Sequence, residues 1–137
     1  MREILFRGKA NDKWIYGYFI QALDMDNTPK KSCIIENMSN FSVVDGKLKQ
    51  DYYAVSLETI GQYTGLTDKN GTKIFEGDIV KVNNKYIDIV IYASGCFCMD
   101  RQIINYEFTY QDSKSLEVIG NIYDNPGLVE KVVEDDN

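Results

Sequence analysis

The stretch QYTGL (62–66), DKNG (68–71), KIF (73–75), EGD (76–78), IVKV (79–82), NN (83–84) and YIDIVIY (86–92) decides the fold. Short apolar and β-branched runs alternate with Gly, Asn and Asp, residues that reach left-handed backbone conformations at low steric cost. Such runs are too short for amphipathic helices, so each reads as a strand and each break as a tight turn. Asn70-Gly71 is the strongest hairpin signal of the chain. Glu76-Gly77-Asp78 turns one run into the next, Asn83-Asn84 turns again, and Ser94-Gly95 leads into Cys96-Phe97-Cys98-Met99.

The pattern continues on both sides. Ile4-Leu5-Phe6 and Trp14-Ile15-Tyr16-Gly17-Tyr18-Phe19-Ile20 read as a hairpin, with its turn in the polar stretch Gly8–Lys13. Cys33–Glu36 is a short strand, and Phe41–Val44 and Lys47–Gln50 pair through Asp45-Gly46. Ser56 offers a helix N-cap, but Gly61 stops the helix after about one turn, so residues 56–60 form a short helical turn. Ile103–Tyr110 and Leu116–Ile122 are further strands. Asn125-Pro126 supplies a cap followed by proline at the first helical position, which predicts a short C-terminal helix over Gly127–Val133. The expected fold is therefore mostly β: a small SH3-like barrel or antiparallel sheets joined by tight hairpins.

The chain has 137 residues, 44% hydrophobic and 26% charged, values of an ordinary globular domain. With two prolines it has little material for a stiff linker, so a single domain over residues 1–129 is expected. Within it, an N-terminal β subdomain (1–54) and a barrel (55–125) can be distinguished, followed by an acidic tail (130–137). Charged residues interrupt the N-terminus, and nowhere do about 18 apolar residues run together, so neither an export signal nor a membrane span is expected. Three cysteines, Cys33, Cys96 and Cys98, are not a disulfide framework. A cytoplasmic location follows as the expectation. The net charge of −6 divides into +2 over residues 1–50 and −8 over residues 51–137. That balance disfavours nucleic acid as a partner, because release of counterions from phosphates requires clustered cations.

The segment Glu58-Thr59-Ile60-Gly61-Gln62-Tyr63-Thr64-Gly65-Leu66-Thr67-Asp68-Lys69-Asn70-Gly71 runs into Ile74-Phe75-Glu76-Gly77-Asp78-Ile79-Val80. With Val118-Ile119-Gly120-Asn121-Ile122-Tyr123-Asp124-Asn125-Pro126, Arg2–Gly8 and Lys13–Gly17, it closely resembles the YopX family of phage and prophage proteins. The likeness extends from residue 2 to about residue 129 and is weakest over residues 21–52. It implies a mostly β fold including an SH3-type barrel and an origin in mobile genetic elements. It supplies no catalytic residue to carry over.

Read physically, Gly61, Gly65, Gly71 and Gly77 stand where a small barrel must turn, and Asn70 precedes one of them. Asp78 is placed to accept backbone N–H groups across its turn, and Asn121 and Asn125 to satisfy backbone groups at a strand exit and a helix cap. The chain contains no histidine, which removes Ser-His and Cys-His catalysis and His-containing zinc sites. Cys96 and Cys98 share one strand face and, with Cys33, would still leave a four-thiolate zinc site one ligand short. No glycine-rich loop opens a helix with the Lys-Ser/Thr pair of a phosphate site. Neither catalytic residues nor a cofactor nor a metal site is expected, and an enzyme is disfavoured.

Ten tyrosines are the unusual feature. Tyr16, Tyr18, Tyr52, Tyr53 and Tyr63, beside Trp14, form a candidate binding surface, since amphipathic rings suit partner interfaces and stack on bases. Their simpler role is to straddle core and rim. Three functions remain open: an accessory protein that self-associates or binds a host or phage protein; a single-stranded nucleic-acid binder using these rings with Lys30, Lys31, Lys47 and Lys49; and a carboxylate-based, metal-assisted hydrolase.

Overall fold

The computed structural model describes residues 3–23, 25–26, 29–36, 42–49, 52–100 and 113–129; for 22–23, 29–30, 42–44 and 47–49 it describes the backbone alone. The chain divides into two compact units, residues 1–62 and 63–137.

The first unit is built on β1 (Phe6–Ala10), β2 (Lys13–Leu23), β3 (Pro29–Ile35) and the short β6 (Tyr53–Ala54), hydrogen-bonded in the order β6-β3-β2-β1. Between β3 and β6, β4 (Ser42–Val44) and β5 (Lys47–Lys49) form a separate hairpin across Asp45 and Gly46, both at positive φ. The β1–β2 turn is tighter than the polar stretch Gly8–Lys13 suggested: Ala10 pairs with Lys13, and Asn11 at φ 58° turns the chain. Gly8 belongs to the strand, paired with Ile15, and a Cβ there would lie 2.8 Å from Ile60 Cδ1. Strand β2 pairs with β1 through residues 13–17 and with β3 through residues 18–23. At the changeover stands Gly17, where a Cβ would meet the Ile35 carbonyl oxygen at 2.0 Å, so only glycine lets β3 approach so closely.

Ile15 and Ile34, almost fully buried, are the core of this unit, and the Phe6 and Phe19 rings lie 5.8 Å apart. After β6, one 3-10 turn (Leu57–Thr59) fills the place of the expected helical turn. Ser56 makes no side-chain cap; instead the Thr59 hydroxyl donates to the Ser56 carbonyl (2.7 Å) and accepts from the Lys9 amide (2.9 Å). β7 (Gly61–Thr67) begins by pairing its first two residues, Gly61 and Gln62, with Arg7 and Phe6 of β1.

In the second unit, β7 continues into a hairpin with β8 (Lys73–Phe75). β9 (Asp78–Val82), β10 (Tyr86–Ala93), β11 (Cys96–Met99) and β12 (Leu116–Asn121) form a four-stranded antiparallel sheet in the order β11-β10-β9-β12. Asn83 and Asn84, at φ 52° and 57°, make a primed two-residue turn whose hand matches strand twist, closed by Lys85 N–H on the Val82 carbonyl (2.9 Å). Ser94-Gly95 does the same between β10 and β11. The alternation of β9 and β10 points Val80, Val82 and Val90 to one side, where they pack with Ile74, Met99 and Leu116 as the buried core.

The described strands do not close into the expected barrel. β11 and β12 are the two edges of an open sheet. No strand covers the outer edge of β12 among the described residues; the 68–72 turn does. The Val118 amide donates to Asp68 Oδ2 (2.9 Å) and the Lys69 amide to the Leu116 carbonyl (3.1 Å). Residues 126–129 make one helical turn. Ile103–Tyr110, the remainder of the expected terminal helix and the acidic tail lie outside the described residues. Among the described residues, no helix is long and apolar enough to cross a membrane.

Candidate functional site

Strand β2 alternates strictly. Ile15 and Gly17 face inward and are buried; Tyr16, Tyr18 and Ile20 face outward and are 43%, 50% and 50% exposed. Trp14 begins the same outward row, half-buried. Alternate residues of a strand are about 6.7 Å apart, so Trp14, Tyr16, Tyr18 and Ile20 form a line about 20 Å long.

The sheet register names the neighbours of this line. On β1, Lys9 lies opposite Trp14 and Arg7 opposite Tyr16. On β3, Ile35 lies opposite Tyr18 and Cys33 opposite Ile20, with Ala54 of β6 beyond Cys33. The Arg7 guanidinium carbon sits 4.7 Å from the Trp14 ring centre, and Lys9 Nζ 5.6 Å from it. Lys31, one pleat before Cys33, holds its Nζ 5.0 Å from the Tyr52 ring. Cations over ring faces are attracted by the ring quadrupole, by about 0.5–2 kcal/mol each. Arg7, Cys33 and Ile35 are buried, whereas Lys31 and Tyr52 are exposed. None of the paired strand positions of this face is Asp or Glu.

The candidate rings therefore separate. Trp14, Tyr16 and Tyr18 stand in one row, and Tyr52 joins their face at its edge. Tyr53 pairs with Ile34 and so projects from the opposite face. Tyr63 belongs to the second unit, where it is 6% exposed, packs 5.5 Å from Phe75 and carries Lys73 over its ring. Ile20, Lys9 and Arg7 are members of the face that a search for tyrosines passes over. Their signal is positional: each falls in phase with Trp14 or directly across from the row. The side chains of Lys30, Lys47 and Lys49 lie outside the described residues.

The glycine and asparagine motifs have mechanical environments. Gly61 is an extended strand residue paired with Arg7, not a turn. Gly65, at φ 90°, sits in a bulge of β7, where the Thr64 hydroxyl donates to the Ile74 carbonyl (2.9 Å) and accepts from the Leu66 amide (3.2 Å). Gly71, at φ 83°, ends a turn closed on the Asp68 carbonyl. Gly77, at φ 94°, donates to the Val90 carbonyl and accepts from the Ile122 amide, joining β10 to the exit of β12. Asp78, buried, accepts the Phe75 amide (2.7 Å). Asp68 accepts three backbone amides: Oδ1 from Asn70 and Thr72, and Oδ2 from Val118. Asn121 Oδ1 accepts from the amides of Tyr123 and Asp124, and Asn125 Oδ1 from that of Asn121.

Cys96 and Cys98 point to one face of β11. Cys98 is fully buried, and desolvation, followed by the adjacent Cys96, pushes its thiol up from the ordinary value. A suppressed thiolate is a poor nucleophile and a poor metal ligand. Among the described residues, no three Cys, Asp or Glu side chains gather as a metal site.

Two solved structures share this architecture. The crystal structure of protein EF1440 from Enterococcus faecalis is 24% identical, with a TM-score of 0.65 over 94% of this chain and 99% of that one. The yopX protein of Bacillus subtilis is 15% identical, with a TM-score of 0.50 over 93% of this chain and 98% of its own. At such identities the likeness shows the fold. No curated protein matches. The family model described as YopX protein matches residues 5–130, nearly the whole chain, and the protein belongs to the YopX family.

Proposed function

We propose that this protein is a non-catalytic binding module, an accessory protein of a phage or prophage acting in the host cytoplasm, and that its recognition surface is the outward face of β2. One observation carries the reading: Tyr16, Tyr18 and Ile20 expose close to half of each side chain in an unbroken row. A tyrosine row beside a tryptophan gives broad contact area at low entropic cost, which is the composition of binding hot spots. The strongly engaged carboxylates Asp68 and Asp78 serve backbone amides, which supports a structural rather than a catalytic use of the acidic residues.

The test is a double substitution, Tyr16→Ser with Tyr18→Ser, which alters the exposed row and leaves Ile15 and Ile34 in place. Circular dichroism should show the fold retained. Sedimentation velocity across a concentration series, and binding to candidate ligands, should then show association by the wild type that the variant has lost. Wild type and variant behaving alike in every such assay would overturn the reading.

A further inference from the structure

We propose that the occupant of this face is a single strand of nucleic acid, with bases stacked on Tyr16 and Tyr18 and phosphates held by Lys9 and Lys31. The proposal rests on the reading of this face as the recognition surface and adds the class of ligand.

Charge is the first argument. The chain's net −6 resides in residues 63–137, which carry seven Lys/Arg and thirteen Asp/Glu; residues 1–62 carry eight of each and are neutral. Within that neutral unit the distribution is uneven. Arg7, Lys9 and Lys31 fall on the outward face, whereas none of its paired strand positions is Asp or Glu. Fields fade over about 8 Å at physiological salt, so the groups of the face, not the chain total, set the potential a ligand meets there. Cations at strand positions that carry no paired acid are complementary to a polyanion.

Geometry is the second. The row offers ring after ring at about 6.7 Å, a spacing that an unstacked strand can follow base by base and that a duplex, whose bases face one another inside, cannot use. Cations border the row on both sides, Lys9 by Trp14 on β1 and Lys31 by Tyr52 at the β3 edge. Ring stacking tolerates any base, so the expected binding is independent of sequence. A protein partner is the competing occupant, and Ile20 would suit it; the cations on both sides of the row favour a polyanion.

The experiment measures fluorescence anisotropy of a labelled oligothymidine about 15 nucleotides long, titrated with the full chain, alongside the emission of Trp14, the one tryptophan present. Binding with quenched emission is expected. It should weaken about 7- to 20-fold between about 50 and 200 mM salt, as two or three phosphate contacts require. Tyr18→Ala should weaken it about 5- to 100-fold, and Lys31→Glu, at an exposed position, should also weaken it. A duplex of the same length should bind less well. The proposal is overturned by no binding at about 50 mM salt, by equal affinity for the duplex, or by folded Tyr18→Ala and Lys31→Glu variants that bind as the wild type does. Should binding to the strand fail while Tyr16→Ser/Tyr18→Ser still abolishes self-association, the ligand class is wrong and the binding-module reading stands.

Discussion

Replacing Asp68 by alanine should be among the most damaging single changes in the second unit. The side chain is 1% exposed and its two oxygens accept three backbone amides, from Asn70 at 2.8 Å, Thr72 at 2.9 Å and Val118 at 2.9 Å. A hydrogen bond to a charged group contributes about 1.5–3 kcal/mol. Asn70 and Thr72 are exposed, so their amides recover part of the loss from water, whereas Val118 is half-buried on the edge that the 68–72 turn covers, and its amide recovers less. The expected net destabilisation is about 3–4 kcal/mol, a large share of an ordinary domain's stability. For a chain of this length it corresponds to about 10–15 °C in Tm. Asp68→Asn keeps Oδ1 for the turn but sets an amide donor against the Val118 N–H, and should cost about 1–3 kcal/mol. Urea and thermal melts give the magnitudes, and hydrogen exchange at Val118 gives the location. A Tm for Asp68→Ala within about 2 °C of the wild type, or unchanged protection of the Val118 amide, would refute the assignment of this carboxylate as the clasp of β12.

Gly17→Ala should destabilise the first unit by about 3 kcal/mol or more in chemical denaturation, since its Cβ meets a backbone oxygen at 2.0 Å rather than a side chain able to move. Leu116→Ala, fully buried in the core of the second unit, should cost about 2–5 kcal/mol in the same assay. Cys98 should resist alkylation at neutral pH in the native protein while Cys96 is modified first, as read by mass spectrometry. Because the folded thiol of Cys98 ionises at higher pH than the unfolded one, it leaves stability unchanged at neutral pH. Stability then falls as pH rises from the unfolded thiol's pKa towards the folded one, and a Cys98→Ser control should flatten that alkaline slope in pH-dependent melts.

Much of the fold can be read from turn chemistry because left-handed backbone is costly for most residues and Asn, Asp and Gly advertise it. Asp45-Gly46, Asn83-Asn84 and Ser94-Gly95 all adopt positive φ between paired strands. Glycines that serve packing carry no such advertisement. Gly8 and Gly61 look like turn residues yet lie inside strands, and Gly65 marks a bulge. The barrel expectation failed at a point that no local pattern specifies: a carboxylate 50 residues away in sequence covers the edge of β12. At the candidate face, alternation along residues 14–20 suffices to align Trp14, Tyr16 and Tyr18. Register against β1, β3 and β6, which alternation along one strand does not give, is what brings in Lys9 and Lys31 and sends Tyr53 to the other side.

The pairing of Phe6 with Gln62 and Arg7 with Gly61 ties together chain segments more than fifty residues apart, whereas β1, β2 and β3 meet through short connections. The entropy of closing a loop grows only with the logarithm of its length, so doubling the span between those contacts adds about 0.6 kcal/mol. The hairpins should therefore assemble before this closure, and inserted residues beside the β4–β5 hairpin should be absorbed at slight thermodynamic cost. Evolution thus has a place to elaborate the chain without dismantling its sheet.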